Sequence, residues 1–182
     1  MEIRLEQPVD AASVRRVHET AFGRQGEVVA ALVNDLRQLV TTVTGVSLVA
    51  VKDGEVVGHV LFTPGLLDAP RALVSIQVLC PLAVLPAFQG QGVGSALVSN
   101  GLMMMAERSV PLVFLEGDPR YYSRFGFRAG SDLGFRRPSL RIPKPSFQAA
   151  DLASHESWMT GTLVYADAFW RHDLVGIREA DH

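Results

Sequence analysis

The chain has 182 residues, 48% of them hydrophobic and 20% charged, with a formal net charge of −2. That length and hydrophobic share suit one domain with a substantial core, so residues 1–182 are read as a single domain, and the near-neutral balance excludes a global pull toward nucleic acid or an anionic membrane and points to a small partner. One cysteine cannot form an internal disulfide, Met1–Glu6 lacks the apolar core of a signal peptide, and no apolar run approaches the roughly 20 residues that span a bilayer, so the cytoplasm is the expected compartment.

In chain order, Glu2–Glu6 alternates as a short strand. Asp10 is placed to cap a helix carrying Val14, Val17, Ala21 and Phe22 on one face, and Val28, Leu32, Leu36 and Leu39 stripe a second helix. Val46–Val51 and Val56–Phe62 read as a hairpin turned at Asp53-Gly54, with Pro64-Gly65 ending its second strand. Val74–Val78 alternates again, and Cys80–Pro86 continues apolar with two prolines that cannot donate to a ladder. A bulge near Pro81 would leave backbone groups at Leu82, Ala83 and Val84 unpaired and open to an extended, amide-containing ligand such as pantetheine. Cys80, in an apolar run with no basic neighbour in sequence, reads as packing rather than as a nucleophile.

Gln89-Gly90-Gln91-Gly92-Val93-Gly94 follows, ahead of a helix from Ser95 to Arg108. Glycines at alternate positions let a ligand approach the backbone, and the helix start presents unpaired N–H groups and a positive dipole end, so the segment reads as an anion cradle. Gly-x-Gly-x-Gly is neither the dinucleotide fingerprint nor the Gly-Lys-Ser/Thr triphosphate loop. A plain strand-to-helix turn is the alternative. The helix is apolar over much of its circumference, which predicts packing on a sheet, and Met103-Met104-Met105 reads as core filler. Leu112–Glu116 is a short buried strand, and Asp118-Pro119 opens a brief helix bearing Tyr121 and Tyr122 and closing at Phe125-Gly126-Phe127. Seven basic residues from Arg120 to Lys144 face the single acid Asp132, either as a solvated face or as a rim for an anionic group. Pro138, Pro143 and Pro145 mark an irregular arm, and Thr162–Tyr165 is the one strand read beyond it.

Gln89, Gly92 and Gly94 after a strand, with Tyr122 four residues before Gly126-Phe127, resemble the GNAT superfamily of acyl-coenzyme-A-dependent N-acyltransferases. The wording Pro81-Leu82-Ala83-Val84 and Gly117-Asp118-Pro119 is similar to a bacterial branch of predicted acetyltransferases. The resemblance is specific from Val74 to Phe127, and departs from the family where Glu116-Gly117-Asp118 stands in place of an Asn that contacts the pantetheine arm. It implies an α/β fold with a GNAT-like mixed, splayed central sheet flanked by helices. It also implies acetyl-CoA as co-substrate with no metal, bound by Leu82, Ala83, Val84, Gln89, Gly90, Gln91, Gly92, Val93 and Gly94.

Direct acetyl transfer needs a neutral amine, donors for the oxyanion and a proton for the departing thiolate. Tyr122 resembles the family's general acid, with Tyr121 as the alternative exposed ring; a phenol near pKa 10 donates at neutral pH without tuning. Glu116 is the candidate base, ahead of Asp118, which also suits a helix cap, and His59, which also suits a structural role. The acceptor is read as a small-molecule or peptide amine, with neither nucleic acid nor membrane as partner and a homodimer left open. A coenzyme-A-binding module without catalysis, and transfer to a hydroxyl or to a protein amino terminus, are the competing readings.

Overall fold

The computed structural model describes residues 1–41 and 43–178. Its main elements are β1 (Glu2–Leu5), α1 (Ala11–Phe22), α2 (Gly26–Arg37), β2 (Val46–Lys52), β3 (Glu55–Asp68), β4 (Leu73–Val84), α3 (Val93–Glu107), β5 (Leu112–Glu116), α4 (Pro119–Tyr122), β6 (Arg128–Ala129), β7 (Phe135–Arg136), β8 (Phe147–Asp151), β9 (Gly161–Val164) and α5 (Asp167–Arg171). Among the described residues the strands form one open mixed sheet in the order β1-β2-β3-β4-β5-β8-β6, with β9 beside β3 and β7 beside β9. β1 and β2 pair antiparallel across the α1–α2 connection and β2 and β3 as a hairpin, whereas the helical crossover through α3 makes β4 and β5 parallel, as a βαβ connection requires. This is the mixed α/β architecture expected from the sequence.

The chain divides into two compact units: Met1–Thr63 with Leu79–Met105, and Pro64–Val78 with the chain from Ala106 onward. In the first, α1 packs on α2, and Val14 and Val17 of the one and Leu32 and Leu36 of the other are buried. Asp53 and Gly54 both take positive φ at the β2–β3 turn, as a two-residue hairpin prefers. At Gly101 of α3 a side chain would come within 2.1 Å of the Phe62 ring, so the missing Cβ lets helix and strand close over that buried aromatic. Burying such a side chain contributes about 1.5–3 kcal/mol.

Four local expectations change. Asp10 does not cap α1 through its side chain; Arg4 holds its carboxylate at 2.6 and 2.9 Å, and the Gln7 N–H donates to it at 2.8 Å. β3 does not stop at Pro64-Gly65 but runs to Asp68. Its register with β2 ends at Phe62 and that with β9 begins at Leu66, so Pro64, lacking an N–H, falls where the strand changes partners. β4 passes through Pro81, which follows a cis peptide, and continues to Val84. Met105 alone of the three consecutive methionines is buried, and Met103 is 54% exposed.

The second unit is organised on Phe114, whose ring meets Phe135 edge-on at 4.9 Å and stacks with Phe147 at 5.8 Å. β5 pairs antiparallel with β8, placing Glu116 opposite Phe147 and Phe114 opposite Ala149.

Candidate active site

The glycine segment is in the first unit. After β4, the Leu85 N–H donates to the Val57 carbonyl at 2.9 Å and a 3-10 turn covers Pro86–Phe88. The Gln89 side-chain amide donates to the Val84 carbonyl at 3.0 Å, and that of Gln91 donates to the Ala87 carbonyl at 2.9 Å while accepting from Lys52 Nζ at 3.2 Å. Both glutamines thus brace the loop with their side chains. Gly90 and Gly92 have φ of 72° and 83°, a region L-residues avoid, and no atom lies within 4 Å of where a Cβ would stand on either. Val93 is buried under the start of α3, and the Ala96 N–H returns to the Gly92 carbonyl at 2.9 Å. Gly94 falls in the first helical turn, where the N–H groups have no intrahelical acceptor. The segment therefore combines open backbone with the positive end of a 15-residue helix, a geometry suited to phosphate oxygens. Leu82, Ala83 and Val84 end β4, Leu82 half-buried and the other two buried.

The acid and base candidates are in the second unit. Tyr122 ends α4 half-buried, its ring edge-on to Tyr121 at 4.9 Å and to Phe127 at 5.8 Å. A Cβ at Gly117 would lie 2.4 Å from Tyr122 Cε2, so the glycine is the seat of that ring. Tyr121 instead lies under the Arg124 guanidinium, 4.8 Å from its ring centre. Asp118 caps α4 by accepting the Arg120 N–H at 2.9 Å, and its side-chain bond to Arg120 holds its carboxyl below the usual range. A cap with that ion pair is its structural role.

Glu116 accepts from the Tyr165 hydroxyl at 2.8 Å and from the Gly176 N–H at 3.1 Å. Burial outweighs both bonds and pushes its carboxyl above the ordinary glutamate range, toward the pH at which a base works. Gly117 directly follows Glu116, the last residue of β5, so the seat of the Tyr122 ring adjoins the strand end that carries the Glu116 carboxylate. The partners of Glu116, Tyr165 and Gly176, lie 49 and 60 residues away in sequence; Tyr165 belongs to the strand read at Thr162–Tyr165, and nothing in the sequence ties either residue to Glu116.

His59 is not at a surface. It is fully buried in the first unit, where Ser47 Oγ meets its Nε2 at 2.8 Å and His18 Nε2 meets its Nδ1 at 2.7 Å. Ser47 donates its one hydroxyl proton to Glu6, which Arg37 also holds at 2.6 Å. His18 escaped the sequence reading because it sits on an otherwise ordinary apolar helix face.

The sequence profile of the acetyltransferase (GNAT) domain matches residues 2–130. The chain belongs to the GNAT acetyltransferase family. Other GNAT relatives extend the likeness beyond that span. The Escherichia coli uncharacterized N-acetyltransferase YhbS is 36% identical over 94% of this chain and 99% of its own, and YjhQ from the same organism is 33% identical over 87% and 88%. The crystal structure of E. coli YhbS in complex with CoA superposes with a TM-score of 0.82 at 32% identity, covering 93% of this chain and 92% of that one. A GNAT acetyltransferase from Brucella melitensis in complex with acetyl-CoA gives 0.73 at 33% identity, covering 92% and 97%. Among the described residues, no helix is long and apolar enough to cross a membrane.

Proposed function

We propose that this single-domain protein transfers an acetyl group from acetyl-CoA directly to an amine, in the cytoplasm and without a covalent enzyme intermediate. The observation that carries the reading is the open backbone at Gly90 and Gly92 ahead of α3, and the CoA- and acetyl-CoA-bound GNAT relatives support it. Bound acetyl-CoA would supply an activated thioester. Backbone N–H groups from Gln89 to Gly94 would hold its phosphates, and backbone at Leu82, Ala83 and Val84 would align its amide-bearing arm. Tyr122 would give its hydroxyl proton to the departing sulfur, and Glu116 would take the proton of the attacking amine.

Isothermal titration of acetyl-CoA tests the cradle. Gly92→Val imposes a side chain at φ 83°, a strain of about 1–3 kcal/mol, and is expected to weaken binding at least about fivefold while the variant remains folded by circular dichroism. An unchanged Kd in the folded variant would remove the loop from donor binding. Tight binding with no amine-dependent thiol release, across amines, polyamines and peptides, would leave a coenzyme-A-binding module instead.

Glu116 is tested through its partner. The Tyr165 hydroxyl bond lowers the carboxyl's pKa against the effect of burial, so Tyr165→Phe is expected to raise it further. The base must be deprotonated, so the acidic limb of the kcat/KM profile should move to higher pH. A limb that stays in place would take Glu116 out of the base role.

A further inference from the structure

The basic run after Arg120 is only partly a solvated face. In the second unit Arg136, Arg137 and Lys144 join Phe135, Phe147 and Leu140 around an open pocket of about 290 Å³. Phe135 and Phe147 are 3% and 2% exposed and form its floor, while Leu140 is 87% exposed. Such a leucine contributes nothing to the core and gains most if an apolar body covers it. Among the described residues no acid lines the pocket. A chain that is net negative overall therefore presents three cations around an apolar floor.

Two of those cations are held in place. Arg137 donates through Nη1 to the Ile142 carbonyl at 2.6 Å, and Arg136 donates through Nε to Thr162 Oγ1 at 2.9 Å. Each bond uses one of a guanidinium's five N–H donors and fixes its plane, so an arriving carboxylate meets donors that need little further ordering. Ligand pockets run from roughly 300 to 1,000 Å³, so this one suits a guest at the small end, of amino-acid size. Its position joins it to the chemistry. Phe147 is the cross-strand partner of Glu116, and directly opposed residues share a sheet face with Cβ atoms about 5 Å apart.

We propose that this pocket recognises the acceptor, and that the acceptor is an amine carrying a carboxylate and a compact apolar body, the class of apolar amino acids and their short peptides. The apolar body lies on Phe135, Phe147 and Leu140, and the carboxylate faces Arg136, Arg137 and Lys144. The acceptor role rests on the transferase reading above; carboxylate binding does not.

Calorimetry on the full chain without coenzyme A, using 3-phenylpropionate against 3-phenylpropionamide, reads the site directly. The acid should bind at least about tenfold more tightly than the amide, and Arg136→Glu with Lys144→Glu should abolish the difference at an unchanged melting temperature. Thiol release from acetyl-CoA then compares apolar amino acids with their decarboxylated amines. The ratio of kcat/KM, acid-bearing over neutral, should exceed about ten and fall at least about tenfold in the double variant. Equal binding of acid and amide overturns the site, as does displacement of the acid by coenzyme A, which would make the rim part of the donor site. A ratio that the double variant leaves unchanged overturns the acceptor role. Selective acid binding lost in the variant, with no thiol release to any amine, keeps the carboxylate site and overturns the transferase reading.

Discussion

Tyr122→Phe is expected to lower kcat for acetyl transfer about 100-fold, within the range for loss of a positioned general acid, with acetyl-CoA affinity changed less than about threefold. A factor of 100 corresponds to about 2.7 kcal/mol of transition-state stabilisation. The substitution leaves in place the ring that packs on Gly117, Tyr121 and Phe127, so the loss belongs to the hydroxyl. Two comparisons separate chemistry from packing. Tyr121→Phe keeps the ring under the Arg124 guanidinium and should leave kcat near its original value. Gly117→Ala retains the Tyr122 hydroxyl but puts a methyl where the ring carbon stands 2.4 Å away, so it should approach the Tyr122→Phe rate by displacing an intact phenol. A Tyr122→Phe enzyme at full speed would end the acid assignment, whatever Gly117→Ala does.

Legibility followed the range of the interactions. The β2–β3 hairpin, α3 and the capped start of α4 were readable because Asp53-Gly54, the apolar helix pattern and Asp118-Pro119 act over a few residues. β8 was not, since Phe-Gln-Ala-Ala-Asp has no β-branched residue and is a strand because β5 and β6 flank it. The path of β3 past Pro64 was missed for the same reason, because its second partner β9 lies about a hundred residues on. Within the candidate site, Gly90, Gly92 and Tyr122 carry local motifs, whereas the surroundings of Glu116 come from Tyr165 and Gly176 in remote chain. His59 shows the limit most clearly: a strand histidine gives no sign that His18, Ser47 and Glu6 enclose it.

That enclosure predicts acid sensitivity near neutral pH. Ionised Glu6 takes the Ser47 proton, so Ser47 Oγ must accept from His59 Nε2–H; His59 Nδ1 then accepts, and His18 must donate from Nε2. Both histidines are thereby fixed neutral in one tautomer, and His18 Nδ1 is left buried with no hydrogen-bond partner. A proton on His59 Nδ1 would confront the His18 donor, and one on His18 Nδ1 would be a buried charge without an acceptor. Burial, with the Arg37 charge, lowers His18 to about 2, and burial lowers His59. Glu6 is also held at about 2: burial opposes this, and the nearby His59 ring with the bonds from Arg37 and Ser47 overcomes it.

A group whose pKa is depressed in the folded state stabilises fully above its unfolded value and loses that contribution as pH falls. For His18 the loss starts near pH 6.5 and reaches about 2 kcal/mol at pH 5; His59 adds in the same direction, and Glu6 takes away a further ~3 kcal/mol between about pH 4.5 and 2. Glu116, raised by burial, acts in the opposite sense, gaining stability as it protonates. For a chain of this size 2 kcal/mol is roughly 4–8 °C, so the melting temperature should fall at least that far from pH 7 to pH 5. His18→Leu removes one titrating partner, and whatever its stability at pH 7, its loss between pH 7 and 5 should be smaller by about 2 kcal/mol. If both proteins melt at the same temperature at pH 7 and pH 5, the histidines are not held neutral by this chain of donors.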